Sequence, residues 1–264
     1  MAGLSGRYCY FDTETTGHDP WGSLDRVVQA AVLEVVDDEV VGTLDMLLDP
    51  GREIPAEVVP IHGITNEMVN GQPAFFEVVP ALLAVMRSAL VVIHNAPFDL
   101  AFLDQAMVEG GLPPEQLWIV DTLQIARRHC TFPGNALRRI ALNYGVETPE
   151  PHQALTDVII LRQVTEAMLG DLGVDSPEKL RELQGVYPRL CGLAPVLPPF
   201  WAAAIEEERQ VRVVYSSASG TRERLLIPRR YLRRYGQEYL EAYCLSAGRE
   251  LTFRLDRLTI PEDE

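Results

Sequence analysis

The sequence predicts a mixed α/β sheet flanked by helices, followed by a small, mostly β module. Three observations carry this expectation. A short apolar strand at residues 8–11 is followed by what reads as a β-hairpin at residues 26–48. Helical and strand patterns then alternate from residue 74 to residue 169. From Phe200 the texture changes to short alternating strands separated by turn residues such as Ser219-Gly220. Strand, hairpin, then alternating helices and strands describes a sheet with helices packed on it.

Each element has its own reason. Residues 26–36 are apolar and β-branched, and Asp37-Asp38 makes a turn into a partner strand over 39–48, closed by Asp49-Pro50. Pro55 and Pro60 bound a short helical piece, and Thr65 can cap the turn that starts at Asn66. Residues 74–87 carry apolar side chains at helical spacing. Leu90-Val91-Val92-Ile93 is a compact buried strand, and Pro97 suits the first turn of a helix running to about residue 109. A strand over 117–120 leads to Asp121, a cap for a helix reaching Arg128. Helices follow over 135–144, stopped by Gly145, and over 153–169. Residues 172–199 read as a linker, with a helix near 177–183 and the stiff run Ala194-Pro195-Val196-Leu197-Pro198-Pro199. A helix to about Glu208 and strands over 211–215, 224–227, 239–245 and 251–255 complete the chain. The expected domains are therefore 1–171, a linker over 172–199, and 200–264.

The composition, 47% apolar and 23% charged, is that of a globular protein. No apolar run is long enough to span a membrane, and no signal peptide is expected. Cys9, Cys130, Cys191 and Cys244 are far apart, which argues against a zinc site or a disulfide framework and predicts a reducing, cytoplasmic location. The net charge of −15 is uneven. Residues 1–171 hold 9 Arg against 24 acids, whereas residues 209–257 hold 11 Arg against 5 acids, so a basic module follows an acidic one.

The most informative stretch is Phe11-Asp12-Thr13-Glu14-Thr15-Thr16-Gly17. Residues two apart on a strand share a face, so Asp12 and Glu14 project together. They repel, no cation follows nearby in sequence, and a hard divalent cation bound through oxygen would relieve them. Further acids stand at element ends: Asp99 in the first turn of its helix, and Asp157 at the start of the helix over 153–169. His152, five residues before Asp157, is placed in the preceding loop. His62 and His94 are read as loop supports, His129 as surface, and Asp121 as a helix cap.

FDTETTG, HNAPFD and HQALTD, at residues 11–17, 94–99 and 152–157, resemble the three motifs of the DEDDh exonucleases, the group that includes proofreading subunits of bacterial replicative polymerases. Ile61-His62-Gly63-Ile64-Thr65 and Val120-Asp121-Thr122 are similar to that family's secondary landmarks, in the expected order. The resemblance covers about residues 5–170. It implies a ribonuclease H-like fold and a metal-dependent 3′→5′ exonuclease. It further implies that Asp12 bridges two divalent cations, Mg²⁺ or Mn²⁺, that Glu14 and Asp157 complete the first site, and that Asp99 supports the second. His152 would be the general base, since an imidazole suits proton transfer near neutral pH. Thr13, Thr15, Ile64 and Phe102 are the expected substrate contacts, with Phe98 a weaker stacking candidate than Phe102.

Residues 200–260 resemble the WYL domain, a small Sm-like β-barrel, through Val213-Val214-Tyr215, Ile227-Pro228, Glu238 to Cys244 and Phe253 to Leu258. The sequence departs from that family at Glu238, where Trp is usual, which puts any ligand contact made through the tryptophan in doubt. The resemblance implies binding of a nucleic-acid strand or a nucleotide-like ligand, with Arg229, Arg230, Arg254 and Arg257 as candidate contacts. A rival role for these arginines is pairing with the acidic domain. The expected partner is nucleic acid, with DNA favoured over RNA and single strands over duplex, in repair or processing. The alternatives are an RNA exonuclease and a non-catalytic nucleic-acid or nucleotide sensor.

Overall fold

The structure is a computed structural model that describes residues 5–149, 153–183, 185–195, 197–217, 220–234 and 237–261. It divides into two compact units, residues 1–18 with 25–193, and residues 19–24 with 194–264.

The first unit is built on a six-stranded sheet of order β3-β2-β1-β4-β5-β6. Its strands are β1 (Arg7–Thr15), β2 (Val27–Val36), β3 (Glu39–Leu47), β4 (Leu90–Ile93), β5 (Glu115–Asp121) and β6 (Val186–Cys191). β1, β4 and β5 run parallel, while β2 pairs antiparallel with β1 and β3, and β6 antiparallel with β5. Two short helices, α1 (Val59–His62) and α2 (Asn66–Val69), precede α3 (Phe75–Met86) and α4 (Ala96–Glu109). α5 (Thr122–His129), α6 (Leu137–Asn143), α7 (Ala154–Asp171) and α8 (Pro177–Glu182) follow.

Side-chain alternation along β1 divides the core. Cys9 and Phe11 pack with Leu83, Leu100, Phe102 and Leu103 of α3 and α4. Tyr8 and Tyr10 face the other way, against Val158, Leu161 and Val164 of α7. Asp12 and Glu14 continue the even-numbered face and so lie on the α7 side. The expected strand at residues 8–11 was too short. β1 runs through the acidic motif because β2 keeps pairing with it as far as Thr15, with a bulge between Glu14 and Thr15.

The stretch 172–199, read as a linker, contains α8 and β6. β6 is an edge strand fastened to α4, where the buried Asp104 carboxylate accepts from the Gly192 N–H at 2.8 Å and pairs with Arg189. Tyr187, Pro188 and Leu190 carry no clean alternation in sequence, so only the pairing with β5 identifies the strand.

The second unit contains α9 (Pro199–Glu206), β7 (Val211–Ser217), β8 (Gly220–Arg234), β9 (Gln237–Cys244), β10 (Arg249–Arg254) and β11 (Leu258–Thr259), with a 3-10 turn at Leu255–Arg257. Trp201 of α9 packs with Val211, Val213, Leu226, Leu240, Ala242 and Phe253. The sheet order is β10-β9-β8-β7-β11. Among the described residues it is an open sheet rather than the expected closed barrel. Closure would require β10 to pair with β11, and β11 offers two residues, both paired with β7. β8 is far longer than the expected 224–227: a bulge between Pro228 and Arg230 shifts its register without ending it, and its two halves serve β7 and β9. Residues 19–24, from the loop after β1, belong to this unit. Asp19 Oδ1 accepts from the Gly22 N–H at 2.8 Å, and Arg230 Nη1 donates to the Gly22 carbonyl at 3.2 Å.

All four cysteines are free thiols. Among the described residues no helix is long and apolar enough to cross a membrane.

Candidate active site

β1 delivers Asp12 and Glu14 to one face, and the first turn of α7 delivers Asp157 to the same place. Carboxylate oxygens of the three lie within 4.8 Å of one another. Asp99 comes from the first turn of α4 and is 2% exposed. Its Oδ1 accepts from the Thr13 N–H at 3.0 Å and from the Thr13 hydroxyl at 2.7 Å. Thr13, pointing to the opposite face from its neighbours, therefore ties β1 to α4.

The local sequence explains how α4 starts there. Asn95 adopts a left-handed backbone, φ 71°, which an asparagine tolerates better than most residues. Pro97 then occupies the first helical turn, where its missing N–H is no loss. Asp121 caps α5 by accepting from the Leu123 and Gln124 N–H groups, and it also accepts from the Asn95 N–H at 3.2 Å. Beside it, His94 Nε2 lies 2.8 Å from the Asn135 carbonyl and so carries the proton, while Nδ1 faces the Thr122 hydroxyl at 2.9 Å. Gly17 closes the motif for a steric reason: a Cβ there would lie 2.3 Å from the buried Asp25 carboxylate.

The electrostatics are those of a site built for positive charge. Burial raises Asp12 well above the carboxylate range, and the negative charges of Asp99, Glu14 and Asp157 add to the effect. Glu14 is pushed up to about 8, first by burial and then by Asp157 and Asp99. Burial lifts Asp99 to about 7 against the pull of its Thr13 hydrogen bonds. Arg138 of α6 offsets part of this: its Nη2 meets Asp157 Oδ1 at 2.9 Å, with both side chains largely buried. A second guanidinium nitrogen of Arg138 donates to the Pro149 carbonyl. Several carboxylates raised by burial and by one another form the donor set that a hard divalent cation takes. The residues present fit such an ion.

The expected site residues fall into four groups. Asp12, Glu14 and Asp157 meet as described, and Asp99 adjoins them through Thr13. His152 lies outside the described residues. The expected substrate contacts have other occupations here. Phe102 is 0% exposed within the core, and the half-buried Phe98 covers it edge-on at 5.3 Å between centroids. Of these two rings on α4, only Phe98 reaches the surface in part. Ile64 is 1% exposed, packed with Val28, Ile54 and Val69. The Thr15 hydroxyl donates to the Gly17 carbonyl at 2.6 Å. In the second unit Arg229 pairs with Glu208, Arg230 with Glu241 and Arg254 with Asp256, while Arg257 is exposed. Sequence reasoning missed Arg138 altogether. It is one of two adjacent arginines on a short helix, and nothing local marks which of them turns inward.

The sequence profile of the exonuclease family matches residues 9–165, more than half of the chain, and that of the WYL domain matches residues 201–262. The DNA polymerase III subunit epsilon of Escherichia coli is 32% identical over 176 residues, covering 62% of this chain and 72% of that protein. A PolC-type DNA polymerase III of Staphylococcus haemolyticus is 28% identical over 181 residues, covering 66% of this chain. The match spans 12% of that polymerase's length. Exonuclease X, solved in complex with 5′-overhanging duplex DNA, superposes with a TM-score of 0.54 at 26% identity, covering 67% of this chain and 99% of that one. The exonuclease family works with two divalent metal ions, in keeping with the acidic cluster. The chain belongs to the exonuclease family through residues 9–165 and carries a WYL domain behind it.

Proposed function

We propose that this protein removes nucleotides from the 3′ end of a DNA strand by metal-dependent hydrolysis, acting in the cytoplasm in repair or processing. The observation that carries the reading is the approach of the Asp12, Glu14 and Asp157 carboxylates to within 4.8 Å. Two bound divalent cations would supply Lewis acidity toward the scissile phosphate and lower the pKa of water. Asp12, Glu14 and Asp157 would hold them, with Asp99 in support. Thr13 fixes the Asp99 carboxylate through two hydrogen bonds, so its orientation is set before substrate arrives. Arg138 orients the Asp157 carboxylate. His152 takes the proton of the attacking water. The ring of Phe98 stacks on the terminal nucleotide.

The assignment to DNA is supported by the DNA polymerase relatives and by the DNA-bound relative. The WYL domain, in residues 200–264, binds nucleic acid through exposed arginines such as Arg257. Purified protein would be given single strands labelled at either the 3′ or the 5′ end, with Mn²⁺, Mg²⁺ or EDTA. Early release of the 3′ label, with metal only, is the expected result. Binding without metal-dependent shortening would instead support a sensor that has kept the fold but not the chemistry.

A further inference from the structure

α7 begins without a side-chain cap. Gln153 stands at the N-cap position with an extended backbone, and its side chain makes no capping hydrogen bond. The first N–H groups of a helix have no intrahelical partner and must find one elsewhere. Here the Ala154 N–H donates to Gln29 Oε1 at 3.1 Å, across a sequence separation of 125 residues. Gln29 lies on β2 directly opposite Glu14 and is 6% exposed. Its amide Nε2 donates to Asp45 Oδ1 of β3 at 2.7 Å.

One neutral amide therefore accepts from the helix and donates to the neighbouring strand. A glutamate would accept from Ala154 but set a second carboxylate against Asp45. A leucine would leave the buried Ala154 N–H without its acceptor and take the amide donor away from the exposed Asp45 carboxylate. Asp157 stands three residues beyond Ala154, so the height and rotation of the helix start determine where its carboxylate meets Asp12 and Glu14. The bond that fixes this start comes from the residue paired with Glu14 itself.

We propose that Gln29 is a positioning residue for the acidic site, holding the N-terminus of α7 at the distance from β1 that keeps Asp157 within reach of the cation shared with Asp12 and Glu14. This rests on the metal-dependent reading above and extends it to the support of the ligand set. The test is Mn²⁺ binding to the full chain by electron paramagnetic resonance, alongside kcat and KM for 3′ release. Gln29→Leu is expected to weaken Mn²⁺ binding and lower kcat, each about 10- to 100-fold as for other residues that orient metal ligands, with KM nearly unchanged. Gln29→Glu alone is expected to behave similarly. The double variant Gln29→Glu/Asp45→Asn restores an acceptor for Ala154 and a donor on β3, and should recover both quantities to within about threefold.

A purely structural role would lower Tm in EDTA but leave the Mn²⁺ affinity of the folded protein alone. Wild-type Mn²⁺ affinity and kcat in Gln29→Leu, or a double variant no better than Gln29→Glu, overturns the proposal. Should Gln29→Leu fail to fold, the comparison of Gln29→Glu with the double variant decides by the same criterion. A wild-type protein that neither binds Mn²⁺ nor cleaves refutes the underlying metal-dependent reading, a different outcome from an active wild type matched by its variants.

Discussion

The two units treat charge in opposite ways. Around β1, Asp12, Glu14, Asp99 and Asp157 crowd together; burial pushes Asp12, Glu14 and Asp99 up, and the neighbouring acids add to this for Asp12 and Glu14. Arg138 relieves them in part. The second unit looks like the complement, with 11 Arg against 5 acids over residues 209–257. Yet Arg229, Arg230 and Arg254 each meet a carboxylate of their own unit. One region concentrates like charge where a protein ordinarily pairs it, and the other pairs charge that sequence counting treats as available. Uncompensated charge marks a place built for something from outside; compensated charge marks a surface whose attraction is weaker than its composition suggests.

The largest test of this contrast is removal of Asp12. Asp12→Ala should lower 3′ release by at least about 1,000-fold, since it takes several kcal/mol of transition-state charge stabilisation with it. The same substitution should raise Tm in EDTA, because a buried carboxylate repelled by three others is gone. Loss of activity together with lower stability in EDTA would show that the acids are not in conflict. His152→Ala should cost about 100- to 10,000-fold in kcat, the range for a lost general base, with Mn²⁺ binding retained. Near-normal turnover would refute its role.

Arg138→Gln tests the compensation. Breaking a largely buried ion pair costs about 3–5 kcal/mol, so Tm in EDTA should fall clearly. Saturating Mg²⁺ should recover part of the loss by supplying positive charge to Asp157 from another source. A Tm deficit that is the same with and without Mg²⁺ would mean that Arg138 serves packing alone.

A pH series reads the same conflict without mutation. Glu14 and Asp99 have folded values of about 8 and 7, above the ordinary carboxylate values near 4 that the unfolded chain has. Folding therefore favours their protonated forms. The stability they contribute is fully present below about pH 4 and is lost as pH rises through about 7 to 8. In EDTA, Tm should fall between pH 5 and pH 8.5, and Mg²⁺ should stabilise more at pH 8.5, where the ligands are ionised. A cation at 100 times its Kd adds about 2.7 kcal/mol, or roughly 5–10 °C for a chain of this size. An equal Mg²⁺ shift at both pH values would break the account.

The smallest expected effect lies in the second unit. Arg257→Ala should reduce the slope of log affinity against log salt for a single strand by about 0.7, one phosphate's share, and leave kcat unchanged. A slope that stays the same removes Arg257 from the strand-binding surface. Arg230→Ala should disturb the Gly22 contact rather than the salt slope, because that side chain is already committed.

Much of the first unit was legible because its information is local. Asp12 and Glu14 share a face by strand periodicity alone. Asn95 and Pro97 prepare a helix start within three residues, and Asp121 is followed at once by the N–H groups that it caps. The elements misread from sequence depend on distant partners. β6 exists through its ladder with β5, and β1 extends to Thr15 because β2 follows it. The second sheet stays open because β11 supplies too short an edge. Phe102 and Ile64 were read as substrate contacts, yet the fold buries both, since an apolar side chain near a motif carries no local sign of which way it faces.

The sequence by itself determined that Asp12 and Glu14 share a face and what kind of ion would satisfy them, because that is a property of residue types and short-range spacing, while the resemblance of its motifs to a known family named Asp99 and Asp157 as their companions. Tertiary structure alone decided how they are held. Thr13 fixes Asp99 across 86 residues, Arg138 meets Asp157 across 19, and Gln29 secures the start of α7 across 125. Such hydrogen bonds join groups whose separation along the chain says nothing about their separation in space, and they form only once both faces of the sheet have packed.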